Sequence, residues 1–382
     1  MFSLQLDETQ EEIRRVARQF AEDEIKPGVI ERDKEAIFPA EIIQKLGDLG
    51  FMGMTVSEDW DGAGMDNLTF AIVLEEIARV DASTAVIMSV QNSLINWIFE
   101  NFASDHLKEK YLRKCATGEM IGSYCLSEPE AGSDARGIAT SAIKEGDKWI
   151  LNGTKNWITS ASNAGVMIVF AQTNPELKHK GIVCFAVPAD APGVEIGLKE
   201  DKMGLRASDT CSVGLTNVQV TDEDMIGKVG DGFYIAMKGL TGGRVGIGSQ
   251  ALGIAQGAFE LSVKYATERK TMGVPISDHQ MIQQKIAQMS MKIEAARMLV
   301  YKAAWMKDNN LDCNRESSEA KLYASTIANE VTKEAVQVHG GYGYVREYQV
   351  ERMMRDAKVT EIYEGTSEIQ NLVIARSLIK AL

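Results

Sequence analysis

The chain has 382 residues, of which 45% are apolar and 25% are charged, a composition typical of a soluble globular protein with a large core. The formal net charge of −13 argues against a nucleic-acid-binding protein, because phosphate recognition requires a clustered cationic surface. The four histidines are isolated and the five cysteines are scattered without CxxC spacing, so the sequence predicts reduced thiols and no metal site.

No apolar run reaches the roughly 18 residues that a membrane-spanning helix requires. The N-terminal segment is acidic and begins a helix almost at once, unlike a signal peptide or a transit peptide. We therefore expect no membrane span and a cytoplasmic protein, or the mature mitochondrial matrix form if the protein is eukaryotic.

Residues 1–120 are predicted to form a helical domain. Thr9 and Glu12 have the spacing of a capping box, apolar residues then recur at helical intervals, and Pro27 is expected to end that helix. Residues 66–99 are apolar almost all round in their second half, which is typical of a helix buried in a bundle.

The periodicity changes at about Ile121, and residues 121–230 are predicted to form an antiparallel β domain. Short segments rich in β-branched and aromatic residues predict strands at 148–161, 165–173, 181–189 and 212–220. Asn152-Gly153 and Glu145-Gly146-Asp147 are the clearest predicted turns.

Residues 231–382 are predicted to form a second helical domain. One long amphipathic helix is expected at 279–308, and another at 316–340 is expected to stop at Gly340-Gly341. Methionines at helical spacing are interpreted as core residues. The predicted fold class is α+β, with an N-terminal all-α domain, a middle antiparallel β domain and a C-terminal helical bundle.

Gly246, Gly248 and Ala251 match the loose dinucleotide-binding fingerprint. That fingerprint requires a preceding strand, whereas both flanking segments here are predicted helices. Close helix–helix packing through glycine is the better explanation, and we reject a dinucleotide-binding domain.

Several other segments have both an ordinary and a functional interpretation. YCLSEPEAGSD (124–134) is either a surface turn or a loop that contacts a heterocycle and phosphates. KNWITSA (155–161) contains a tryptophan that is either a core residue or a ligand contact. ERKTMG (268–273) and QVHGGYGY (337–344) are helix ends that could also accept an anion or a close ligand. IYEGTSEIQ (362–370) places a glutamate where a C-terminal helix needs only a cap.

Taken together and in this order, these motifs resemble the acyl-CoA dehydrogenase family. The resemblance covers essentially the whole chain and includes GGRVGIGSQALGIAQGAFE (242–260) and MMRDAKVTEIYEGTSEIQ (353–370). It implies the three-domain fold of that family, in which the C-terminal domain is a four-helix bundle, and an FAD-dependent dehydrogenase of acyl-CoA thioesters.

The resemblance implies that FAD binds between the β domain and the C-terminal bundle. Matching motifs assign its contacts to Tyr124, Leu126, Ser127, Ser133, Trp157 and Thr159, with Thr366 and Glu368 as remaining contacts. The Thr159 hydroxyl is expected near flavin N5, which accepts hydride. A further set is expected to reach the FAD of a neighbouring subunit, and it comprises Arg269, Gln280, Gln337, Gly340 and Gly341. This set implies a homotetramer built as a dimer of dimers.

Glu364 matches the catalytic base of the family, which removes the α-proton of an acyl-CoA while the β-hydrogen leaves as hydride, giving a 2-enoyl-CoA. The Glu364 backbone N–H, together with a ribityl hydroxyl of FAD, is expected to polarise the thioester carbonyl. Gly365 is expected to give the backbone room, and Tyr363 to exclude water. Burial is expected to raise the Glu364 pKa. One branch of the family has its base near position 243, which is glycine here.

Ser133 and Arg244 are expected to contact CoA. Thr241 replaces an aspartate that is common in the family, so one contact near the pantetheine or thioester is altered. Trp97 lies on the helix expected to close the acyl pocket, and its bulk is expected to shorten that pocket. QNSLIN (91–96) resembles the short-chain and branched-chain members. No arginine occurs at the expected end of the pocket, which argues against a dicarboxylyl substrate.

The leading hypothesis is a dehydrogenase of short or branched acyl-CoA that passes electrons to an electron-transferring flavoprotein. Thr241 and Trp97 keep open an alicyclic substrate, such as a cyclohexanecarboxyl- or cyclohexenecarboxyl-CoA. The chain length argues against an acyl-CoA oxidase, and Glu364 argues against a non-catalytic flavin- or CoA-binding protein.

Overall fold

The computed structural model describes residues 5–380, so the outermost residues of the two predicted terminal domains, 1–4 and 381–382, lie outside it. The N-terminal part of the chain is helical, as predicted. Its helices are α1 (Glu8–Phe20), α2 (Val29–Glu35), α3 (Ala40–Asp48), α4 (Asn67–Val80), α5 (Ala82–Val90), α6 (Trp97–Phe102), α7 (Asp105–Leu107) and α8 (Arg113–Ala116).

The N-cap of α1 is Asp7, so the predicted cap at Thr9 is wrong. The Asp7 carboxylate accepts a hydrogen bond from the Gln10 backbone N–H at 2.8 Å, and the Gln10 side chain accepts one from the Asp7 N–H. Asp7 and Gln10 have the same capping-box spacing as Thr9 and Glu12, so spacing alone does not separate the two pairs. Helical turns continue to Ile25, and the predicted end before Pro27 is confirmed.

The buried segment predicted at 66–99 is divided by Asp81. This residue has an extended backbone (φ −144°, ψ 105°), and its carboxylate accepts hydrogen bonds from the Ser83 N–H and the Thr84 hydroxyl. Asp81 therefore ends α4 and caps α5. The burial of this segment is confirmed, since both helices are buried on nearly all sides.

A mixed sheet follows, in the order β1-β4-β2-β3-β7-β6, with β5 also paired to β4. Its strands are β1 (Gly122–Cys125), β2 (Ser141–Glu145), β3 (Lys148–Thr159), β4 (Val166–Gln172), β5 (Ile182–Pro188), β6 (Val194–Ile196) and β7 (Thr210–Thr221). The predicted antiparallel pairing joins β2 to β3, β3 to β7, β4 to β5 and β6 to β7. In contrast, β1 and β2 run parallel to β4 and pair with the same edge of it, since β5 occupies the other edge along its whole length.

One of the predicted turns is confirmed and the other is wrong. Gly146 has φ +65° and connects β2 to β3. Asn152 and Gly153 lie inside β3, at a register shift against β7. A Cβ on Gly153 would lie 2.5 Å from the Thr140 hydroxyl, so glycine is needed here for a close approach within the sheet.

Helical structure returns at Gly232. The remaining elements are α9 (Gly232–Glu268), a hairpin of β8 (Lys270–Thr271) and β9 (Val274–Pro275), α10 (Gln280–Asp308), α11 (Asn314–His339), α12 (Val350–Val359) and α13 (Ser367–Lys380). Helices α9, α10 and α11 pack against one another, α12 and α13 pack on α11, and α4 packs on α9. A single apolar cluster includes residues of α4–α6, β4, β5 and α9–α11, so the sheet and both helical regions share one core.

Glycines allow α9 to approach α4 at backbone distance. A Cβ on Gly253 would lie 2.3 Å from the Glu75 carbonyl oxygen, and one on Gly257 would lie 2.1 Å from the Arg79 carbonyl oxygen. Gly246 and the glycines that follow it lie inside α9, which confirms helix packing as the reason for the motif.

We predict that Gly257→Ala lowers the free energy of unfolding by about 1–3 kcal/mol, because the added methyl group forces α9 and α4 apart. Thermal unfolding followed by circular dichroism measures the change. Gly137→Ala is the matched control, since a Cβ there would meet nothing closer than 4.0 Å. Equal melting temperatures for the two variants would contradict the proposed contact.

Candidate active site

Glu364 lies in the turn between α12 and α13. Its φ is +50° and that of the following Gly365 is +96°. Glycine adopts this left-handed conformation freely, but a residue with a side chain loses about 1–3 kcal/mol there. The conformation is therefore maintained by the structure around the turn.

The Glu364 carboxylate packs against α9 at Gly243. A Cβ on Gly243 would lie 1.8 Å from Glu364 Oε2, so any larger residue would occupy the same space. Oε2 is buried and has no hydrogen-bond partner within residues 5–380. Position 243, which the resemblance gives as the alternative base position, thus lies directly beside position 364.

The environment of Glu364 favours its neutral form. Burial raises the pKa of Glu364 to about 7, although the cations Lys321 and Arg244 act in the opposite direction. The predicted upward shift of this pKa is confirmed. A carboxyl group that ionises near neutral pH is suited to accept a proton from carbon.

Arg244 lies inside the C-terminal bundle. Its side chain is 7% exposed and donates hydrogen bonds to Asn314 Oδ1 at 2.7 Å and to Ser318 Oγ at 3.2 Å, both on α11. The Thr241 hydroxyl donates to the Met237 carbonyl oxygen within α9. The contacts of Arg244 and Thr241 with the CoA thioester stay predictions.

Two tyrosines border the carboxylate. The Tyr363 hydroxyl donates to Gln250 Oε1, and the Gln250 amide in turn donates to the first carbonyl of α5. The Tyr124 hydroxyl donates to the Ala236 carbonyl oxygen at 3.3 Å. Burial, reinforced by Glu364, raises the pKa of both tyrosines well above the usual range. Strand β1, helix α9 and the turn at 360–366 therefore meet around Glu364.

A buried ion pair anchors the loop at 124–134. Lys155 on β3 is completely buried, and its Nζ donates to Glu128 Oε1 at 2.7 Å and to the Leu126 carbonyl oxygen at 3.2 Å. Ser133, near the tip of the loop, is exposed. The loop therefore has a rigid base and an accessible tip.

Trp157 is 61% exposed and has φ +60°, so its ordinary interpretation as a core aromatic is wrong. A bulky residue with positive φ is uncommon, and here it coincides with a register shift of β3 between Lys155 and Ile158, where a bulge redirects the side chain. Thr159 ends β3, and its carbonyl oxygen accepts a hydrogen bond from the Ser123 hydroxyl at 2.9 Å.

Arg269, Gly340 and Gly341 line a cleft with a volume of about 640 Å³. A Cβ on either glycine would meet nothing within 4 Å, so the backbone there is open to close approach. Neither Trp157 nor Glu364 lines this cleft. The structure thus brings these three predicted residues together, but at a different place from the carboxylate.

Gln280, Gln337, Thr366 and Glu368 are at least partly accessible, whereas Leu126 is buried. Gln280 begins α10 and Gln337 lies near the end of α11, and both are exposed. The Thr366 hydroxyl accepts a hydrogen bond from the Ile369 N–H at 3.4 Å and so caps α13, and Glu368 is exposed in the first turn of that helix.

Trp97 is partly buried at the start of α6. Its ring lies edge-on to Phe102, with 5.5 Å between the ring centroids, and Lys307 Nζ lies 5.8 Å from the Trp97 ring centroid. The same Nζ is 3.0 Å from the position of a Cβ on Gly242. The shortening of the acyl pocket by Trp97 stays a prediction. Lys307 belongs to no motif. The signature of a dicarboxylyl substrate is an arginine at the end of the acyl pocket, so it does not identify this lysine.

Gln370 and Lys321 contact the Glu364 turn. Gln370 is the last residue of the IYEGTSEIQ motif, which assigns it no role, and Lys321 lies outside every motif. Gln370 Nε2 donates to the Gly365 carbonyl oxygen at 2.9 Å, and Lys321 Nζ donates to the same oxygen at 2.7 Å. The one sequence signal for Lys321 is that a charged residue occupies a position of α11 that faces the helical core, where an apolar residue is expected.

No cluster of histidine, cysteine, aspartate or glutamate suited to hold a metal ion occurs between residues 5 and 380. In the same part of the chain, no helix combines the length and the apolar character needed to cross a bilayer.

Three family models match this chain. They describe the N-terminal, middle and C-terminal domains of acyl-CoA dehydrogenase, and they match residues 7–119, 123–218 and 230–379. The chain is 46% identical over 379 residues to the mitochondrial short-chain specific acyl-CoA dehydrogenase of Rattus norvegicus, which covers 99% of this chain and 92% of the relative.

Solved structures agree with these matches. Butyryl-CoA dehydrogenase from Megasphaera elsdenii aligns with a TM-score of 0.97 and 41% identity over 99% of this chain and 100% of the other. A chain from a structural study of the electron transferring flavoprotein of Acidaminococcus fermentans and flavin-based electron bifurcation has a TM-score of 0.98 and 42% identity, again over 99% and 100% of the two chains.

Proposed function

The chain belongs to the acyl-CoA dehydrogenase family, and we propose that it oxidises a short or branched acyl-CoA to the 2-enoyl-CoA with Glu364 as the catalytic base. Family membership makes the protein an FAD-dependent oxidoreductase. The observation that carries the choice of base is the burial of Glu364 Oε2 against Gly243 without a hydrogen-bond partner.

The residues of this chain fit FAD. Trp157 exposes its indole at the end of β3, and the loop at 124–134 presents exposed polar groups from a rigid base. When bound, FAD supplies the acceptor for the hydride. The residues proposed to hold it are Tyr124, Leu126, Ser127, Ser133, Trp157, Thr159, Thr366 and Glu368.

Glu364 is proposed to take the α-proton of the thioester onto its carboxylate. The Glu364 backbone N–H donates no hydrogen bond within the described part of the chain, so it is available to the thioester carbonyl oxygen. A hydrogen bond there stabilises the negative charge that develops when the α-proton leaves. Tyr363 and Tyr124 are proposed to exclude water from the carboxylate, since the charge of Glu364 acts on both buried hydroxyls.

An electron-transferring flavoprotein is the proposed electron acceptor. The support is the structural match to a chain from the study of such a flavoprotein in A. fermentans. We also propose that the protein is located in the cytoplasm, or in the mitochondrial matrix if it is eukaryotic. The support for the second location is that the rat relative is mitochondrial by name.

We predict that the purified protein is yellow and forms a homotetramer. The cleft lined by Arg269, Gly340 and Gly341 includes neither Trp157 nor Glu364, as expected if it contacts the FAD of a neighbouring subunit. Sedimentation analysis with flavin absorbance detection measures both properties. A monomer with full FAD occupancy would contradict the shared site.

We predict that short acyl groups are preferred, because the bulk of Trp97 excludes longer chains by overlap. The measurement is kcat/KM for butyryl-, isobutyryl-, cyclohexanecarboxyl- and octanoyl-CoA with an artificial electron acceptor. Preference for cyclohexanecarboxyl-CoA would favour the alicyclic alternative.

The variant Trp97→Ala should raise the octanoyl-to-butyryl ratio of kcat/KM by about tenfold or more. One methylene group in an apolar pocket changes kcat/KM by at least about tenfold. Trp60→Ala is the matched control, since the Trp60 ring lies against the cations Lys108 and Arg113. A wild-type preference for octanoyl-CoA would show that Trp97 does not limit the pocket.

We predict that Glu364→Gln binds acyl-CoA and FAD but reduces its flavin on the order of 10²–10⁴-fold more slowly, because the amide keeps the volume and cannot accept the proton. Rapid-mixing absorbance of the flavin band measures this step directly. Glu361→Gln is the matched control, as Glu361 pairs with Lys358 and is not the proposed base. Flavin reduction by Glu364→Gln within a few-fold of the wild-type rate would place the base elsewhere.

A further inference from the structure

Lys321, on α11, is a completely buried lysine beside the proposed base. Its Nζ donates to the carbonyl oxygen of Gly365, the residue after Glu364, at 2.7 Å. No carboxylate lies within 4.0 Å of this Nζ in residues 5–380. The ammonium group is therefore buried without a direct ion pair, which is an unusual and costly arrangement.

The hydrogen bond alone does not explain a cation at this position. Gln370 Nε2 already donates to the same Gly365 oxygen at 2.9 Å, so a neutral donor satisfies this acceptor equally well. A charge that is buried at such cost requires a negative group nearby that benefits from it.

The acidic groups that act on Lys321 are Glu364, Glu361 and Glu368, and Glu364 has the largest effect. Glu361 already pairs with Lys358 at 2.6 Å, and Glu368 is exposed to solvent. The carboxylate that benefits most from the buried charge is therefore Glu364.

Other charged or titratable groups also face Glu364. Arg244 approaches it from α9, Tyr124 from β1, and Tyr363 is its neighbour in the turn. Arg244 already uses its Nη1 for hydrogen bonds to α11, and both tyrosines remain neutral at physiological pH.

We propose that Lys321 is a positioning residue for Glu364, which fixes the left-handed turn through its hydrogen bond to Gly365 and favours the ionised carboxylate through its buried charge. This inference rests on the proposed role of Glu364 as the base. The two cations near Glu364 then have different roles. Lys321 donates a hydrogen bond to the turn that carries the carboxylate, whereas Arg244 donates its hydrogen bonds to Asn314 and Ser318 of α11.

The direction of the expected change follows from the charges. Burial raises the pKa of Glu364 to about 7 and lowers the pKa of Lys321 to about 8, and each group opposes the effect of burial on the other. Removal of the cation leaves burial less opposed, so the Glu364 pKa must rise further.

The test compares the FAD-bound wild-type enzyme with Lys321→Met. The acid limb of the pH profile for flavin reduction should move upward by about one to three pH units, the usual effect of one nearby opposite charge. Infrared difference spectra taken during a pH titration give an independent readout, because the carboxyl C=O band of Glu364 is identified by its absence in Glu364→Gln. That band should persist to a higher pH in Lys321→Met.

Two further variants at position 321 separate charge from packing. Lys321→Gln can still donate a hydrogen bond to Gly365 but carries no charge, so it should shift the titration as Lys321→Met does. Lys321→Arg retains the charge and should titrate close to the wild type. If Lys321→Met loses FAD or melts early, the comparison of the Gln and Arg variants decides the question.

Ser325→Ala is the matched control. Ser325 lies one turn further along α11, is also completely buried, and its hydroxyl donates to the Thr360 carbonyl oxygen at 2.8 Å. It therefore anchors the same segment to α11 without a charge, and its loss should leave the infrared titration unchanged.

An unchanged titration in both Lys321→Met and Lys321→Gln would overturn the proposal, and so would an equal shift in Ser325→Ala. Failure of the proposed function has a different signature, since Glu364→Gln would then reduce its flavin at nearly the wild-type rate. The two failures are thus distinguishable in one series of variants.

Discussion

The close approach of other elements to α9 is the constraint on which the rest of the structure depends. At Gly253 and Gly257 the backbone of α4 takes the space that a side chain would need, and at Gly246 the Ser89 hydroxyl of α5 does so. At Gly243 that space belongs to the Glu364 carboxylate. The glycines that bring the N-terminal helices onto the bundle therefore lie on the same helix as the glycine that makes room for the proposed base.

This arrangement sets two opposing effects on Glu364. Burial removes water from the carboxylate and favours its neutral form, whereas Lys321 and Arg244 favour the ionised form. Burial dominates, and the resulting pKa of about 7 leaves the group ionised in a large fraction of molecules at neutral pH. With burial alone the base would be mostly protonated. With full exposure it would be ionised but too weak a base for a carbon acid.

The fold could be predicted from the sequence, and the motifs assign candidate site residues, but the contacts of those residues could not be predicted. Apolar periodicity is a local signal, and it identified the helical regions and the long strands. The Asn152-Gly153 pair predicts a turn, but that prediction is wrong because the glycine makes room for Thr140, just before the neighbouring strand β2. The parallel pairing of β1 with β4 likewise depends on contacts that the local sequence does not show. Lys321 reaches Gly365 from 44 residues away, so no spacing rule could find it.

Backbone strain helps to separate functional positions from ordinary ones only when it is combined with burial and chemistry. Glu364 and Trp157 both have positive φ, but so does Ala36, which simply ends α2 with a left-handed cap. What distinguishes Glu364 is that the strained residue also buries an unpaired carboxylate oxygen, while Trp157 exposes a large ring that has no packing reason to be there. The positive φ of Trp157 coincides with the register shift of β3 between Lys155 and Ile158, and that of Glu364 lies in the turn between α12 and α13. The strain therefore marks these two positions only in combination with the buried carboxylate and the exposed ring.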